Sequence, residues 1–211
     1  MGRSGSLLME RMLWALVVLL LIAVVAVWWW QPVSTEQAGH QDLPLRHAPQ
    51  GGDFVLNRDG QEFALRDYRG QVVLLYFGYT YCPDVCPTSL AIMRHALRQL
   101  TPEQQERVQG VFVSVDPERD TPAQLAEYTA FFHPNIRGVS GQPEQLATAG
   151  DLYGAAWQRV DSDSAMGYAV DHSSNTYVID PGGRLIEILP HGSSAQSILD
   201  VVLPLISIDE E

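Results

Sequence analysis

The sequence predicts an α/β fold with a mixed central sheet flanked by helices, preceded by one N-terminal transmembrane helix. Two features predict the domain. Apolar runs of strand length alternate with segments of helical periodicity, and a Pro-Gly-Gly turn joins two late strands before a final helix. A third feature predicts the transmembrane helix: the 19 residues at positions 12–30 are apolar and carry no charge.

The N-terminal run is long enough to cross a bilayer. As a helix it would span about 28 Å at ~1.5 Å per residue, against a hydrocarbon core of about 30 Å. Arg3 and Arg11 precede it, so residues 1–11 are expected in the cytoplasm and the C-terminal domain in the periplasm. The sequence therefore predicts a single-pass protein of the cell inner membrane. The alternative is a cleaved signal peptide, whose apolar core is normally shorter.

The rest of the chain divides into a polar tether and one domain. Residues 31–49 contain three prolines and show no apolar periodicity, which is typical of a tether. Residues 50–211 are enough for a single domain with a full core.

Acidic residues dominate the charge of the protein. The chain has 13 arginines, no lysine and 25 acidic residues, for a net charge of −12. Without Arg3, Arg11 and Glu10, the exported part carries 11 − 24 = −13. This charge argues against binding to nucleic acid or anionic lipid through general electrostatics. It is compatible with a basic protein partner, or with a surface that is simply soluble.

The first half of the domain is predicted to contain a hairpin and a strand-helix-strand unit. Residues 53–57 and 62–64 flank an Arg-Asp-Gly-Gln turn signal. Residues 72–77 form a continuous apolar run, as in a strand that is buried on both faces. Residues 88–100 have apolar side chains at helical spacing, and residues 110–115 are a second buried strand.

The second half adds two helices, a hairpin and a closing helix. A helix is predicted at Pro122–Phe132, with the preceding threonine as N-cap, and a shorter one at Pro143–Tyr153. Residues 175–180 and 184–189 are strands of a hairpin, and residues 193–206 close the domain as a helix. This order is thioredoxin-like in outline. In such sheets, functional sites lie beyond the carboxyl ends of the strands, and Cys82 and Asp116 are predicted to lie there.

The two cysteines of the chain form a C-x-x-x-C pair at a predicted strand-to-helix turn. If Cys82 and Cys86 both lie on the first turn of a helix, their Cβ atoms are roughly 5–6 Å apart and the helix dipole lowers their pKa values. Such a pair can share a soft metal ion, above all Cu(I), or close a disulfide. A purely structural disulfide is a weak alternative, because its closed loop of five residues constrains little. Asp84 is the expected cap of the helix.

A two-thiolate metal site normally needs a third ligand, for which the six histidines are candidates. His172 lies in a segment, residues 170–174, that is predicted as a loop beside the cysteine turn. Spacing alone leaves both a ligand and a structural histidine open at that position. The other five are expected to be solvated or structural, with His133 as a cation at a helix end; they are His40, His47, His95, His133 and His191.

Three motifs in register resemble one family. They are Phe-Gly-Tyr-Thr-Tyr-Cys-Pro-Asp-Val-Cys-Pro-Thr-Ser-Leu at residues 77–90, Val-Ser-Val-Asp-Pro-Glu-Arg-Asp-Thr-Pro at 113–122 and Val-Asp-His-Ser at 170–173. Together they resemble the Sco/SenC copper chaperones over nearly all of the exported domain.

The resemblance implies a thioredoxin-like fold and the binding of one Cu(I) or Cu(II) ion per monomer. The implied ligands are Cys82, Cys86 and His172, with Asp116 and Asp171 either supporting the site or capping loops. The resemblance also implies assembly of the dinuclear copper centre of cytochrome c oxidase. The partners would be the copper-centre subunit of the oxidase, an upstream copper donor and a thiol reductant.

Three other readings compete with a copper chaperone. The first is a thiol-disulfide oxidoreductase that reduces the copper-site cysteines of the oxidase, with Cys82 and Cys86 as the redox pair; the extra residue between the thiols and the missing proline before residue 175 argue against it. A peroxiredoxin-like peroxidase is disfavoured because Thr80 stands one residue too close to Cys82. A zinc site would need a fourth ligand, from Asp84 or Asp171.

Overall fold

The computed structural model describes residues 4–30, 43–161 and 167–207. Residues 31–42 of the predicted tether, including His40, lie outside the described residues. The chain divides into two compact units, Met1–Gly39 and His40–Glu211.

The described residues of the first unit form the helix α1 (Ser4–Trp30). Its described side chains at residues 11–26 are exposed. Within the part of the chain whose placement is described, no helix has the combined length and apolar character of a membrane span.

The second unit has a mixed α/β architecture. Its described strands are β1 (Val55–Arg58), β2 (Gln61–Ala64), β3 (Val72–Gly78), β4 (Val108–Ser114), β5 (Ile136–Val139), β6 (Trp157–Asp161), β7 (Tyr168–His172), β8 (Thr176–Ile179) and β9 (Leu185–Leu189). Its described α-helices are α2 (Val85–Leu97), α3 (Pro102–Gln105), α4 (Pro122–Phe132), α5 (Pro143–Tyr153) and α6 (Ala195–Ser207).

The predicted mixed central sheet is confirmed. Its strands lie in the order β5-β4-β3-β8-β9. Strands β3, β4 and β5 are parallel, whereas β8 runs antiparallel to both β3 and β9. Two hairpins, β1-β2 and β6-β7, form separate two-stranded sheets. The sheet is flanked by helices, and α2 contacts both α4 and α6.

Strand β3 is apolar throughout because it is the middle strand of the sheet. All seven of its residues are buried, and successive side chains point to opposite layers. Tyr76 stacks on Phe112 with ring centroids 6.2 Å apart, whereas Phe77 stacks on Trp157 at 6.4 Å. The strand registers place the carboxyl ends of β3 and β4 beside the start of β8 at one edge of the sheet.

Local sequence signals explain several elements. Asp59 and Gly60 both have positive φ in the turn between β1 and β2, the conformation that an Asp-Gly hairpin turn needs. The Thr121 side chain accepts a hydrogen bond from the backbone N–H of Gln124, and Pro122 occupies the first turn of α4. The predicted hairpin and the predicted helix start are confirmed.

The structure corrects the predicted start of α2. The helix begins at Val85 rather than at residue 88, so Cys86 lies in its first turn while Cys82 lies before it. The expectation that both thiols sit on one helical turn is therefore wrong. The reason is Pro83, because a residue that precedes proline disfavours the helical conformation.

The hairpin of β6 and β7 is absent from the sequence prediction, which places residues 170–174 in a loop. His172 is instead the last residue of β7, opposite Trp157. Strand β6 is mostly exposed, with four of its five side chains open to solvent. It therefore lacks the apolar alternation that would reveal a strand in the sequence.

Candidate metal centre

A buried carboxylate fixes the turn that carries the cysteines. Asp120 accepts hydrogen bonds from the Thr80 N–H at 2.9 Å, the Thr80 hydroxyl at 2.5 Å and the Ser114 hydroxyl at 2.6 Å. It thus joins the loop after β3 to the end of β4. Sequence reasoning missed Asp120, although it lies inside the 113–122 motif.

The cysteines are buried, reduced and placed at the start of α2. Cys82 is 5% exposed and Cys86 is fully buried, and no disulfide joins them. Asp84 occupies the N-cap position, but its side chain makes no capping hydrogen bond, so the predicted cap role is wrong. Asp84, which follows Pro83, has φ −139° and ψ −74°, outside the β region that is typical of an N-cap residue. Its carboxylate is therefore not oriented as that of an ordinary N-cap.

His172 is brought against the cysteines by β7. Its Nε2 lies 3.3 Å from Cys86 Sγ. Its Nδ1 lies 3.1 Å from the Ser173 carbonyl oxygen, which can only accept, so Nδ1 is the donor in this contact. The Tyr76 and Tyr79 rings meet the imidazole edge-on at centroid distances of 6.2 and 5.8 Å.

Backbone hydrogen bonds on both sides hold the position of His172. The Leu43 N–H donates to the His172 carbonyl at 3.3 Å, and the Ser173 N–H donates to Ala156 at 2.9 Å. The Ser173 hydroxyl accepts from the Ala156 N–H at 3.0 Å. The first of these contacts shows that residue 43, within the predicted tether, is attached to the domain.

The two thiols have opposite pKa shifts. Hydrogen bonding by Cys86, and then by the His172 side chain and the backbone N–H groups of Asp84 and Cys86, holds the pKa of Cys82 well below its ordinary value. Burial, and then the nearby Cys82, raise the pKa of Cys86. The pair is therefore one thiolate, Cys82, beside one thiol, Cys86.

The donor atoms of Cys82, Cys86 and His172 all lie within 4.8 Å of one another. Two sulfurs and one imidazole nitrogen form a soft donor set, which suits Cu(I), while the imidazole also suits Cu(II). In the part of the chain that the structure describes, no fourth cysteine, histidine or carboxylate belongs to this group. A closed four-ligand zinc site with Asp84 or Asp171 is thus not formed.

Asp116 and Asp171 are both buried, but neither belongs to the donor group. Asp116 forms an ion pair with Arg119 and accepts a hydrogen bond from the Tyr168 hydroxyl at 2.8 Å. It therefore contacts the strand that ends in His172. Asp171 pairs with Gln158 across the β6-β7 hairpin.

The remaining described histidines lie apart from the site. His47 and His95 are exposed, and His191 contacts Ser89 at 3.3 Å. His133 is buried, and its Nδ1 accepts from the Asn135 N–H. Burial and the nearby Arg98 lower the pKa of His133, so its predicted role as a cation at a helix end is wrong.

The fold and the site define a class: a mixed α/β domain that presents two cysteines and one histidine at the carboxyl edge of its sheet. Residues 44–207 match the family model described as SCO1/SenC. The chain is 37% identical over 152 residues to a SCO2-like protein of Rickettsia felis, covering 71% of this chain and 74% of the relative. The chain belongs to the SCO1/SenC family.

Two further comparisons extend this result. The bovine mitochondrial SCO2 homolog is 41% identical over 161 residues, and the match covers 75% of this chain but only 60% of the bovine protein. The structure of Arabidopsis thaliana ScoI with copper bound superposes with a TM-score of 0.66 at 33% identity, covering 75% of this chain and 98% of that one.

Proposed function

We propose that this protein is a copper metallochaperone that holds one copper ion between Cys82, Cys86 and His172. The observation that carries the proposal is the group of three buried soft donors within 4.8 Å, without a fourth protein ligand among the described residues. Three ligands leave a coordination position open. An incoming thiolate of a client protein can then compete for the metal, as a chaperone requires.

The residues around the donors define how the ion would be taken up. Cys82 is already a thiolate, so Cys86 has to release its proton when Cu(I) binds. The Nδ1 contact with the Ser173 carbonyl turns Nε2 of His172 toward Cys86 Sγ, on the side where the ion would bind. Both sulfurs have to be reduced, since a disulfide between them removes two of the three ligands.

The client is proposed from the family. The three motifs of this chain resemble those of proteins that assemble the dinuclear copper centre of cytochrome c oxidase, and the similar Arabidopsis thaliana ScoI binds copper in its structure. We propose the copper-centre subunit of the oxidase as the recipient. An upstream copper donor and a thiol reductant complete the proposed cycle.

A second candidate function is thiol-disulfide exchange with the copper-site cysteines of the oxidase. The asymmetry of the thiols favours it, because a Cys82 thiolate next to a protonated Cys86 is arranged as a nucleophile and a resolving thiol. Exchange does not need His172. The reduced His172→Ala protein should therefore still reduce a disulfide-bonded peptide if this is the main activity, whereas Cys82→Ser should not.

The location of the domain is also a proposal. We place it on the periplasmic side of the inner membrane, anchored through residues 12–30, on the basis of the uncharged run and the two arginines before it. Protease added to spheroplasts should digest the domain. A domain that is protected until the cells are lysed would contradict this placement.

The copper function is tested by anaerobic titration of the reduced protein with Cu(I) in competition with a chelator. We expect one Cu(I) per chain, bound in the presence of excess Zn²⁺. Preferential retention of Zn²⁺, or copper binding that survives in the Cys82→Ser, Cys86→Ser double variant, would overturn the proposal.

A further inference from the structure

Access to the three donors is open on one side only. Cys86 and His172 are fully buried, and Cys82 is the donor residue with measurable exposure. The residues next to Cys82 in the turn, Tyr81 and Pro83, are exposed. A ligand that competes for the metal therefore has to approach over the Cys82 turn.

An apolar groove begins at this turn. It has a volume of about 380 Å³ and is lined by Tyr81, Tyr128 and Phe131, among others. Phe131 is 75% exposed, and Tyr81 is 41% exposed. Arg119 lies over the Tyr81 ring at 5.0 Å, and Tyr128 packs on Phe112 in the core at 5.5 Å. The Tyr81 and Tyr128 rings of the groove are thus each packed against another side chain of the domain.

The groove has an acidic rim. Glu127 lines it and is exposed, and Asp84 is exposed on the adjoining cysteine turn. Glu127 takes part in none of the ion pairs between described residues. Exposed apolar patches that are rimmed by polar residues mark interaction sites, and a carboxylate at the rim is complementary to a basic side chain of the partner.

From these observations we infer that the groove between Tyr81 and Phe131 docks an extended, thiol-bearing segment of the client. An apolar side chain of that segment enters the groove, and a lysine or arginine pairs with Glu127. A second copy of this chain fits poorly, because each copy carries a net charge of −12. An anionic lipid surface is repelled for the same reason. The inference rests on the proposed copper function.

Docking places the client thiols where ligand exchange can occur. A client thiol loses its proton, and its sulfur bonds to Cu(I) at the open position over Cys82. The bond from copper to Cys82 then breaks, and as the second client thiol loses its proton and binds, the bonds to Cys86 and His172 break as well. Cys86 takes up one of the two protons released by the client, the other goes to solvent, and Cys82 remains a thiolate. The metal stays Cu(I) throughout, so no oxidant or reductant is needed.

The test uses the purified full-length chain and a synthetic peptide that carries two cysteines, a leucine and lysines. The variants are Phe131→Asp and Glu127→Arg, and the matched control is Ile186→Asp, an exposed apolar residue of β9 that is absent from the groove lining. Two quantities are measured: the Cu(I) affinity of each chain, and the rate of Cu(I) transfer as a function of peptide concentration.

Phe131→Asp should raise the peptide concentration for half-maximal transfer about tenfold or more, with the Cu(I) affinity unchanged. Glu127→Arg should raise the concentration of the lysine peptide that is needed for half-maximal transfer. It should lower the concentration that is needed of a peptide with glutamate in place of lysine. Ile186→Asp should behave as the wild type. Equal transfer by Phe131→Asp and the control, or no reversal of charge preference by Glu127→Arg, would overturn the inference.

A second readout separates this inference from the copper function. Fluorescence anisotropy of the labelled peptide, with its cysteines replaced by serine, measures docking on the copper-free chain. Weaker docking of Phe131→Asp than of Ile186→Asp supports the groove even if the chain binds no copper. Equal docking of both variants rejects the groove while leaving the copper site untouched.

Discussion

At the scale of single residues, the site depends on three side chains that have different protonation needs. Cys82 is a thiolate, Cys86 keeps its proton because it is fully buried, and His172 offers Nε2 while Nδ1 donates to a carbonyl. The copper-free state is thus nearly arranged for the metal. Of the two thiols, only Cys86 has to lose a proton before the donors can bind copper.

This proton gives a measurable pH dependence. The raised pKa of Cys86 means that each Cu(I) displaces about one proton near neutral pH, so the logarithm of the apparent affinity should rise by about one per pH unit. Chelator competition at several pH values measures the slope. A slope near two would mean that both thiols are protonated in the free protein, which contradicts the assigned Cys82 thiolate.

Gly78 is required next to the site for steric reasons. A Cβ atom at this position would lie 2.6 Å from Cys86 Sγ and 2.9 Å from the Phe112 ring. Gly78→Ala should therefore cost about 1–3 kcal/mol of unfolding free energy and weaken Cu(I) binding. Urea unfolding and Cu(I) titration measure the two effects.

The control for this substitution is Gly182→Ala, where the nearest atom to a new Cβ is a side-chain oxygen at 3.2 Å. Its copper affinity should match the wild type. If Gly78→Ala also binds copper as the wild type does, Cys86 does not occupy the position described here.

At the scale of elements, two structures bring the ligands together from distant parts of the sequence. Asp120 joins the turn after β3 to the end of β4 and so fixes the Cys82 side. The β6-β7 hairpin carries His172 and is held by Arg119. The guanidinium lies 3.6 Å from the Tyr168 ring centroid and donates to the Tyr168 carbonyl at 3.0 Å.

Arg119 is accordingly expected to position the histidine ligand. Arg119→Ala should lower the Cu(II) affinity about tenfold while changing the Cu(I) affinity less, because Cu(I) can remain on two thiolates. The visible thiolate-to-Cu(II) absorption and chelator competition measure this. Arg159→Ala is the matched control, because its guanidinium also stacks on Tyr168, at 3.7 Å, from an exposed position. Equal effects of both variants on the Cu(II) affinity would contradict the role of Arg119 in positioning His172.

Asp120 gives a stability prediction with a definite sign. Burial raises its pKa above the ordinary value of 3.8, so the folded protein binds this proton more tightly than the unfolded chain does. The contribution of Asp120 to the unfolding free energy should therefore fall as the pH rises from about 3.8 through the raised folded value. In Asp120→Asn, this fall of the unfolding free energy with rising pH should be absent. Chemical unfolding across the acidic range checks it, and an identical slope in both proteins would contradict the burial effect.

At the scale of the whole molecule, burial and capping decide which strands and helices can be predicted from the sequence. The apolar run of β3 and the capped start of α4 were predictable because burial and capping leave strong patterns. The hairpin of β6 and β7 was not, because β6 is mostly exposed. Spacing alone could not decide the role of His172. The family resemblance implied that it is a ligand, and in the structure β7 places its Nε2 3.3 Å from Cys86 Sγ.

The same scale explains why Asp120 was missed. Its three hydrogen bonds reach Thr80, which is 40 residues away in the sequence, and Ser114 at the end of β4, which is 6 residues away. No local pattern marks such a contact. The motif at residues 113–122 was a usable signal, since a run of polar residues directly after a buried strand lies at the functional edge of the sheet.

The central claim is that His172 completes a copper site with Cys82 and Cys86. Its most direct test is the Cu(II) absorption spectrum and copper affinity of the reduced protein, compared between wild type and His172→Ala, with His191→Ala as the control. We expect a thiolate-to-Cu(II) charge-transfer band in the wild type and the control, and its loss together with weaker binding in His172→Ala while both thiols remain titratable. An unchanged band and affinity in His172→Ala would contradict the three-ligand site.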